Sequence, residues 1–146
     1  MTNTAGSETC PVARTLALVG ERWSLLIVRD AFDGIRRFSD FQRNLGVARN
    51  ILAERLRRLV DAGILETQAA ADGSAYQEYV LTERGNSLFP VVIALRQWGE
   101  QQLFAPGEQH SDLIETTTGR RVPVMQPRGG NGAVLLPEQT HVRKLA

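Results

Sequence analysis

The sequence predicts an α+β fold that is mainly α, with several helices, one two-stranded hairpin and a short β-containing tail. Apolar residues recur at helical spacing through most of residues 11–104. One stretch, residues 64–81, instead shows two strand-like runs on either side of a turn sequence, Ala-Asp-Gly-Ser. Glycines divide the successive helical runs, at Gly20, Gly34, Gly46 and Gly63.

Composition excludes several classes of protein. With 146 residues, 42% of them hydrophobic and 23% charged, the chain is expected to form a globular core rather than to be disordered. No apolar run approaches the roughly 20 residues of a membrane helix, and the N-terminus lacks the basic and apolar regions of a signal peptide. A single cysteine, Cys10, excludes an intramolecular disulfide and is typical of the cytoplasm, where we expect the protein to act.

Four helical patterns precede the hairpin. Pro11 suits the first turn of the first helix, and the second is apolar nearly all round, which is typical of a buried helix. Ser39 is a suitable N-cap for a third helix over residues 40–45. The fourth is expected from Val47 to Ala62. Its buried stripe is formed by three leucines at i, i+4 and i+7, namely Leu52, Leu56 and Leu59.

The hairpin and a long helix follow. Residues 64–67 are expected to pair with residues 76–81, so that the hairpin forms a wing beside the fourth helix. Thr82 then suits the N-cap of a helix over residues 83–104, in which Pro90 predicts a kink or a boundary.

Three regions are expected along the chain. Residues 1–9 are small and polar and should form a flexible N-terminus. Residues 10–104 hold the helices and the hairpin. Residues 105–146, the C-terminal appendage, contain short apolar runs interrupted by glycine and proline, and predict one or two short strands turning near Gly119, then a loose tail.

Positive charge is concentrated on the third and fourth helices. Between residues 36 and 58, seven arginines face two acids, a local balance of +5 in a chain whose formal net charge is +1. Such a patch favours binding of a polyanion. Solvated arginines forming ordinary ion pairs within the helix, with Glu54 and Asp61, would also explain it.

The order of elements is that of a winged helix-turn-helix with a long C-terminal helix. Five motifs carry a closer resemblance: Cys10-Pro11, Arg22-Trp23, Gly34 to Phe38, Leu52 to Leu56, and Tyr79 to Thr82 followed by Gly85. Together they resemble the HxlR-type bacterial transcription regulators, relatives of the MarR regulators. The resemblance covers roughly residues 10–99.

This resemblance implies a repressor or activator that binds double-stranded DNA. It implies a homodimer in which terminal helices pair, the long C-terminal helix serving dimerisation, and in which two recognition helices enter successive major grooves of a near-palindromic operator. Two features depart from the family. Ala48 stands where a serine usually caps the recognition helix, and the wing sequence carries no positive charge.

Candidate DNA contacts follow from side-chain chemistry on the fourth helix. Arg49 and Arg57 can each form a fork with guanine, Asn50 can pair with adenine, and Ala53 can contact a thymine methyl group. Phosphate contacts are expected from five further residues: Arg36, Arg37, Ser39, Arg55 and Arg58. For Arg55, a salt bridge within the helix hairpin is an alternative.

The candidate regulatory residues are the single cysteine and three aromatic residues. Cys10 lies at a helix start, where the helix dipole favours the thiolate; some members of the resembled family sense oxidants there, but a half-buried structural cysteine is the alternative. Trp23, Phe89 and Trp98 are candidates for an effector site or a subunit interface, and the tryptophans could equally be core anchors. A small-molecule effector that binds near Trp23, Phe89 or Cys10 is expected to alter how the long helices pair.

Enzyme and cofactor motifs are not found in the sequence. It contains no phosphate-binding glycine loop and no nucleophile–base pair, so we expect no catalytic residues and no cofactor. His110 and His141 have no metal-binding spacing with Cys10, so no metal site is predicted. The alternative function is a winged-helix module that binds another protein rather than DNA, because the wing lacks positive charge.

Overall fold

The computed structural model describes residues 9–145, and the order of its elements confirms the mainly α winged helix-turn-helix. The flexible N-terminus expected over residues 1–9 lies, apart from Thr9, outside the described residues. The elements are α1 (Pro11–Val19), α2 (Arg22–Phe32), α3 (Phe38–Leu45), α4 (Arg49–Asp61), β1 (Leu65–Ala69), β2 (Gln77–Leu81), α5 (Glu83–Asn86) and α6 (Phe89–Gln102), followed by a 3₁₀ turn at Pro137–Gln139.

The hydrophobic core lies where α2, α3 and α4 meet. The predicted leucine stripe of α4 is confirmed, since Leu52 and Leu56 are fully buried and Leu59 is 1% exposed. Ile27 of α2 and Phe41 of α3 are also fully buried in the same cluster. Removing these apolar surfaces from water stabilises the arrangement of the three helices and so fixes which side of α4 faces solvent.

The turn between α3 and α4 depends on a glycine. Gly46 ends α3 with φ of 65° and ψ of 26°, a left-handed conformation in which a β-carbon is strained. The expected Ser39 cap was wrong: α3 begins earlier, at Phe38, and Arg37 is its N-cap. The helix starts there because Arg37 keeps an extended backbone while its carbonyl accepts the first helical hydrogen bonds.

The hairpin pairs β1 and β2 antiparallel, with Leu65 opposite Leu81 and Thr67 opposite Tyr79. The linker before α3 lies along the outer edge of β2, where the Tyr79 amide donates to the Arg36 carbonyl at 2.8 Å. The hairpin is therefore attached to the start of α3 as well as to the end of α4.

The helix expected over residues 83–104 is divided in two. Thr82 caps α5 as predicted, because its hydroxyl accepts a hydrogen bond from the Gly85 amide at 3.0 Å. The boundary that Pro90 predicted is also observed, between α5 and α6, and Pro90 itself falls in the first turn of α6, where its missing N–H is tolerated.

Contacts divide the chain into two compact units, Met1–Val92 and Ile93–Ala146. In the second unit the buried Gln97 side chain binds the appendage through both amide atoms: it donates to the Pro123 carbonyl at 3.0 Å and accepts from the Met125 amide at 2.8 Å. The strand pairing predicted near Gly119 is present only as a single antiparallel bridge, between Ile114 and Arg121. The appendage forms only isolated bridges over residues 105–145, because glycine and proline interrupt each apolar run before a ladder extends.

Across residues 9–145, no helix combines the length and the apolar character needed to cross a membrane.

Candidate nucleic-acid interface

One face of α4 is open to solvent. Arg49, Asn50, Ala53 and Arg57 are all exposed, and at about 100° per residue they fall within one sector of about 100° on the helix. The leucine stripe faces the core; Asn50 and Arg57 lie across the helix from it, whereas Arg49 lies at its edge. The four residues predicted to read bases therefore share one exposed surface, which we call the α4 face.

The start of α4 favours negative charge. Ala48 is its N-cap, and a methyl group cannot accept hydrogen bonds from the amides of the first turn. Those amides, at the positive end of the helix dipole, are left for water or for an external acceptor such as phosphate. The Arg49 guanidinium adds charge there and lies 4.9 Å from the centre of the Phe38 ring.

Arg57 and Arg58 form ion pairs within α4. Arg57 lies 3.5 Å from Asp61, and Arg58 lies 3.2 Å from Glu54, each pair at i,i+4 spacing. Both guanidiniums are exposed, so each pair is weak and can be exchanged for another anion at small cost. The intrahelical pairing considered above is thus present, and it leaves these arginines accessible.

Arg55 is held differently. Its side chain is 18% exposed, and its Nε lies 2.7 Å from Oε2 of Glu21, the N-cap of α2. Burial acts to raise the pKa of Glu21, but the Trp23 amide and the Arg55 guanidinium outweigh it and lower that pKa below its ordinary value. The structure thus contains the salt bridge within the helix hairpin, from Arg55 to Glu54 at 3.1 Å, together with a shorter one to Glu21 at the start of α2.

Arg36 and Arg37 lie against the hairpin, which is acidic. Residues 65–81 contain three acids and no basic residue. Arg37 forms an ion pair with Asp72, and its Nε lies 3.8 Å from Glu78, which is also 3.8 Å from Arg36. The Ser74 amide and then the Arg37 guanidinium lower the pKa of Asp72 to about 2. The hairpin sequence contains no positive charge, but Arg36 and Arg37, which precede α3, place two positive charges beside it in the folded protein.

A groove separates the start of α4 from the hairpin tip. Its volume is about 590 Å³, and it is lined chiefly by Arg37, Phe38, Ser39, Arg49, Tyr76 and Tyr79. Tyr76 was missed by the sequence analysis. Its side chain is 69% exposed, and the Arg37 guanidinium lies 5.6 Å from its ring centre. The available signal was that Tyr76 is the aromatic residue nearest the predicted turn, residues 71–74, at the start of the second predicted strand.

The candidate regulatory residues lie on or near the terminal helices. Cys10 is exposed and is the N-cap of α1. Trp23 is half-buried beneath the Arg22 guanidinium, and Phe89 contacts the ring of Phe32 with 5.1 Å between ring centres. Trp98 is 61% exposed, so it is not a core anchor of this chain.

His110 has partners that its spacing along the chain did not reveal. Its Nδ1 lies 3.8 Å from Glu100 and 3.6 Å from Asp112, and it donates to a neighbouring main-chain carbonyl at 2.8 Å. Each carboxylate also lies beside a guanidinium, that of Arg96 at 3.6 Å or that of Arg121 at 3.2 Å. Because these charges already satisfy one another, the cluster acts as a polar network within the second unit.

Comparison with known proteins agrees with this geometry. The family model of the HxlR-like helix-turn-helix matches residues 18–106, more than half of the chain. The protein belongs to the HxlR-like helix-turn-helix family. Members are DNA-binding transcription regulators, and the matched residues include α2, the α3–α4 pair, the hairpin and α6.

Individual relatives extend the match. The chain is 47% identical over 108 residues to Rv3095 of Mycobacterium tuberculosis, an uncharacterised HTH-type transcriptional regulator, covering 74% of this chain and 68% of that protein. The crystal structure of PA1607, a candidate transcription factor, is 50% identical with a TM-score of 0.91, covering 97% of this chain and 99% of that chain. The oxidised form of the redox regulator HypR is 32% identical with a TM-score of 0.59, covering 66% of this chain and 100% of that chain.

Proposed function

We propose that this HxlR-type regulator acts as a homodimer that binds a near-palindromic operator, with α4 of each subunit in the major groove. The observation that carries this proposal is the α4 face. Its two arginines and its asparagine are exposed, lie outside the buried leucine stripe, and carry the donors that read guanine and adenine edges. The proposed phosphate contacts are those of Arg36, Arg37, Ser39 and Arg58.

Dimerisation is supported by apolar side chains that the single chain leaves exposed on its terminal helices. On α1, Val12 is 66% exposed and Leu16 is 57% exposed. On α6, Leu95 is 55% exposed and Trp98 is 61% exposed. Apolar patches of this kind are typical of subunit interfaces. Light scattering after size exclusion should therefore give the mass of a dimer.

Selection of bound duplexes from a random pool, followed by anisotropy titration at two salt concentrations, tests DNA recognition. Replacing Arg49 and Arg57 together by alanine should weaken binding to the selected duplex by about 100-fold, because each arginine–guanine fork contributes about 1–3 kcal/mol. Arg120→Ala combined with Arg128→Ala, which removes the same two charges from the appendage, is the matched control. Wild-type affinity in the Arg49 and Arg57 double variant would refute the role of the α4 face.

Redox control through Cys10 is proposed as a second layer. It is supported by the exposed thiol at the start of α1 and by the likeness to a redox regulator. Because the chain has one cysteine, a disulfide formed on oxidation must link Cys10 either to Cys10 of a second subunit or to a small thiol. Diamide should then change the DNA affinity of the wild type and leave that of Cys10→Ser unaffected; an unchanged affinity in the wild type would exclude this switch.

The same titration, with candidate small molecules added, would detect an effector that acts near Trp23 or Phe89.

A protein-binding module without DNA binding is the second candidate, and the acidic hairpin favours it. Recovery of no preferred duplex by the wild-type dimer, together with a stable complex with another protein, would support that function instead.

A further inference from the structure

The groove between α4 and the hairpin tip has the chemistry of a backbone-binding site. Arg37 and the Ser39 hydroxyl offer hydrogen-bond donors on one wall, and the rings of Phe38, Tyr76 and Tyr79 offer apolar surface. A sugar–phosphate strand alternates the same two chemistries, a charged phosphate and an apolar deoxyribose face. Arg49 borders the groove and also belongs to the α4 face, so the two surfaces are continuous.

We propose that this groove binds one strand of the DNA backbone, with Arg37 on a phosphate and the Tyr76 ring against the adjoining deoxyribose. The inference rests on the proposed function, and it assigns the wing contact to a residue pair drawn from two elements. The hairpin contributes the ring, and the N-cap of α3 contributes the charge.

The charge of the hairpin explains why the ring and the arginine of this contact come from two different elements. The hairpin itself carries three acids, which would repel a phosphate. Asp72 and Glu78 are both faced by Arg37, and Glu78 is faced by Arg36 as well. The tip that approaches DNA is therefore neutralised by arginines from outside the hairpin.

Asp72 is the positioning residue of the pair. Its Oδ1 accepts from the Ser74 amide at 2.9 Å, which fixes it in the turn, and its other oxygen binds Arg37. The guanidinium is thereby held near the Tyr76 ring instead of moving freely in solvent. A guanidinium held in place loses less conformational entropy when it binds a phosphate.

Neutral methylphosphonate groups, placed one at a time along both strands of the selected duplex, would locate the contact. In the wild type, one position in each half-site should lose affinity because of Arg37. In Arg37→Ala, that position should no longer be sensitive, while the positions contacted by α4 should stay so. A scan with the same profile in both proteins would overturn the assignment of Arg37.

Tyr76 is tested on unmodified DNA. Tyr76→Ala should weaken binding about threefold to tenfold, as expected for loss of an exposed ring that contacts DNA and Arg37, and Tyr76→Phe should stay within about twofold because the ring remains. Gln68→Ala, an exposed position on β1, is the control. Wild-type affinity in Tyr76→Ala would overturn the contact.

The Asp72→Asn variant tests whether Asp72 positions Arg37 for DNA or withholds it from DNA. We expect weaker binding and loss of the Arg37-dependent methylphosphonate effect, whereas tighter binding would mean that Asp72 withholds Arg37 from DNA and would overturn the positioning role. Failure of the wild type to select any duplex would instead refute the proposed function itself, so the two failures are distinguishable.

Discussion

The Arg55–Glu21 pair gives the sharpest test of the distinction between structural and DNA-binding arginines. Arg55 is one of the seven arginines of residues 36–58 and was expected to contact phosphate. Its Nε, however, is 2.7 Å from the Glu21 carboxylate, and its side chain is only 18% exposed. We predict that Arg55→Ala lowers the free energy of unfolding rather than changing DNA recognition directly. Glu21→Ala, which removes the other partner of the ion pair, should also lower the free energy of unfolding.

The magnitude follows from the contacts. Exposed ion pairs contribute up to about 1 kcal/mol, and breaking a buried one costs about 3–5 kcal/mol; this pair, with side chains 18% and 31% exposed, lies between the two, at about 1.5 kcal/mol. Glu21 also caps α2 by accepting from the Trp23 amide at 3.0 Å, a role worth about 1 kcal/mol. Arg55→Ala should therefore cost about 1.5 kcal/mol and Glu21→Ala about 2.5 kcal/mol.

Urea unfolding followed by circular dichroism, on both single variants and the double variant, measures this as a double-mutant cycle. The double variant should be about as stable as Glu21→Ala alone, which gives a coupling energy near 1.5 kcal/mol. Arg58→Ala, on an exposed position of the same helix, is the control and should cost less than about 0.5 kcal/mol. A coupling energy below about 0.3 kcal/mol would refute the reasoning and return Arg55 to the phosphate contacts.

Further predictions concern the fold and its pH dependence. The pKa of Glu21 is lower in the folded than in the unfolded state, so its ion pair with Arg55 stabilises the fold above the unfolded-state pKa. That stability is lost as the pH falls through the folded-state pKa. Between pH 7 and pH 3, the urea midpoint of unfolding should therefore fall less in Glu21→Gln than in the wild type. Leu56→Ala should cost about 3 kcal/mol by leaving a core cavity, measured by the same unfolding experiment. Gly85→Ala places a β-carbon 2.1 Å from the Ile64 carbonyl oxygen and should cost about 2–3 kcal/mol, with Gly130→Ala, which meets nothing within 4 Å, as the control. Gln97→Ala removes both hydrogen bonds to the appendage and should speed its cleavage by a protease while sparing residues 9–92; unchanged cleavage would contradict the role of that amide.

Local patterns in the sequence predicted most of the fold. The spacing of Leu52, Leu56 and Leu59 predicted the buried side of α4, and the structure confirms it because burial along a helix repeats with the helix turn. Thr82 and Pro90 marked a helix start and an interruption for equally local reasons, a hydroxyl that caps and a nitrogen that cannot donate.

Predictions failed where local signals were ambiguous. Ser39 looked like a cap, yet α3 begins before it, because any residue with an extended backbone can hold that position when the chain enters from a fixed direction. The appendage looked strand-forming near Gly119, but isolated bridges are all that its short apolar runs sustain between residues 105 and 145. Neither outcome is encoded in a window of a few residues.

The amino-acid order alone determined the family, the succession of helices and hairpin, and the excess of arginine on the helix-turn-helix, since all of these are periodicities, motifs or counts. Only the tertiary structure decided which arginines remain accessible for DNA. Arg55 is held by the N-cap of α2 and is withdrawn from the surface, whereas Arg37 is positioned beside the groove by an acid 35 residues away in the hairpin. An ion pair depends on distance in space, and the folded core, which no single segment specifies, sets that distance.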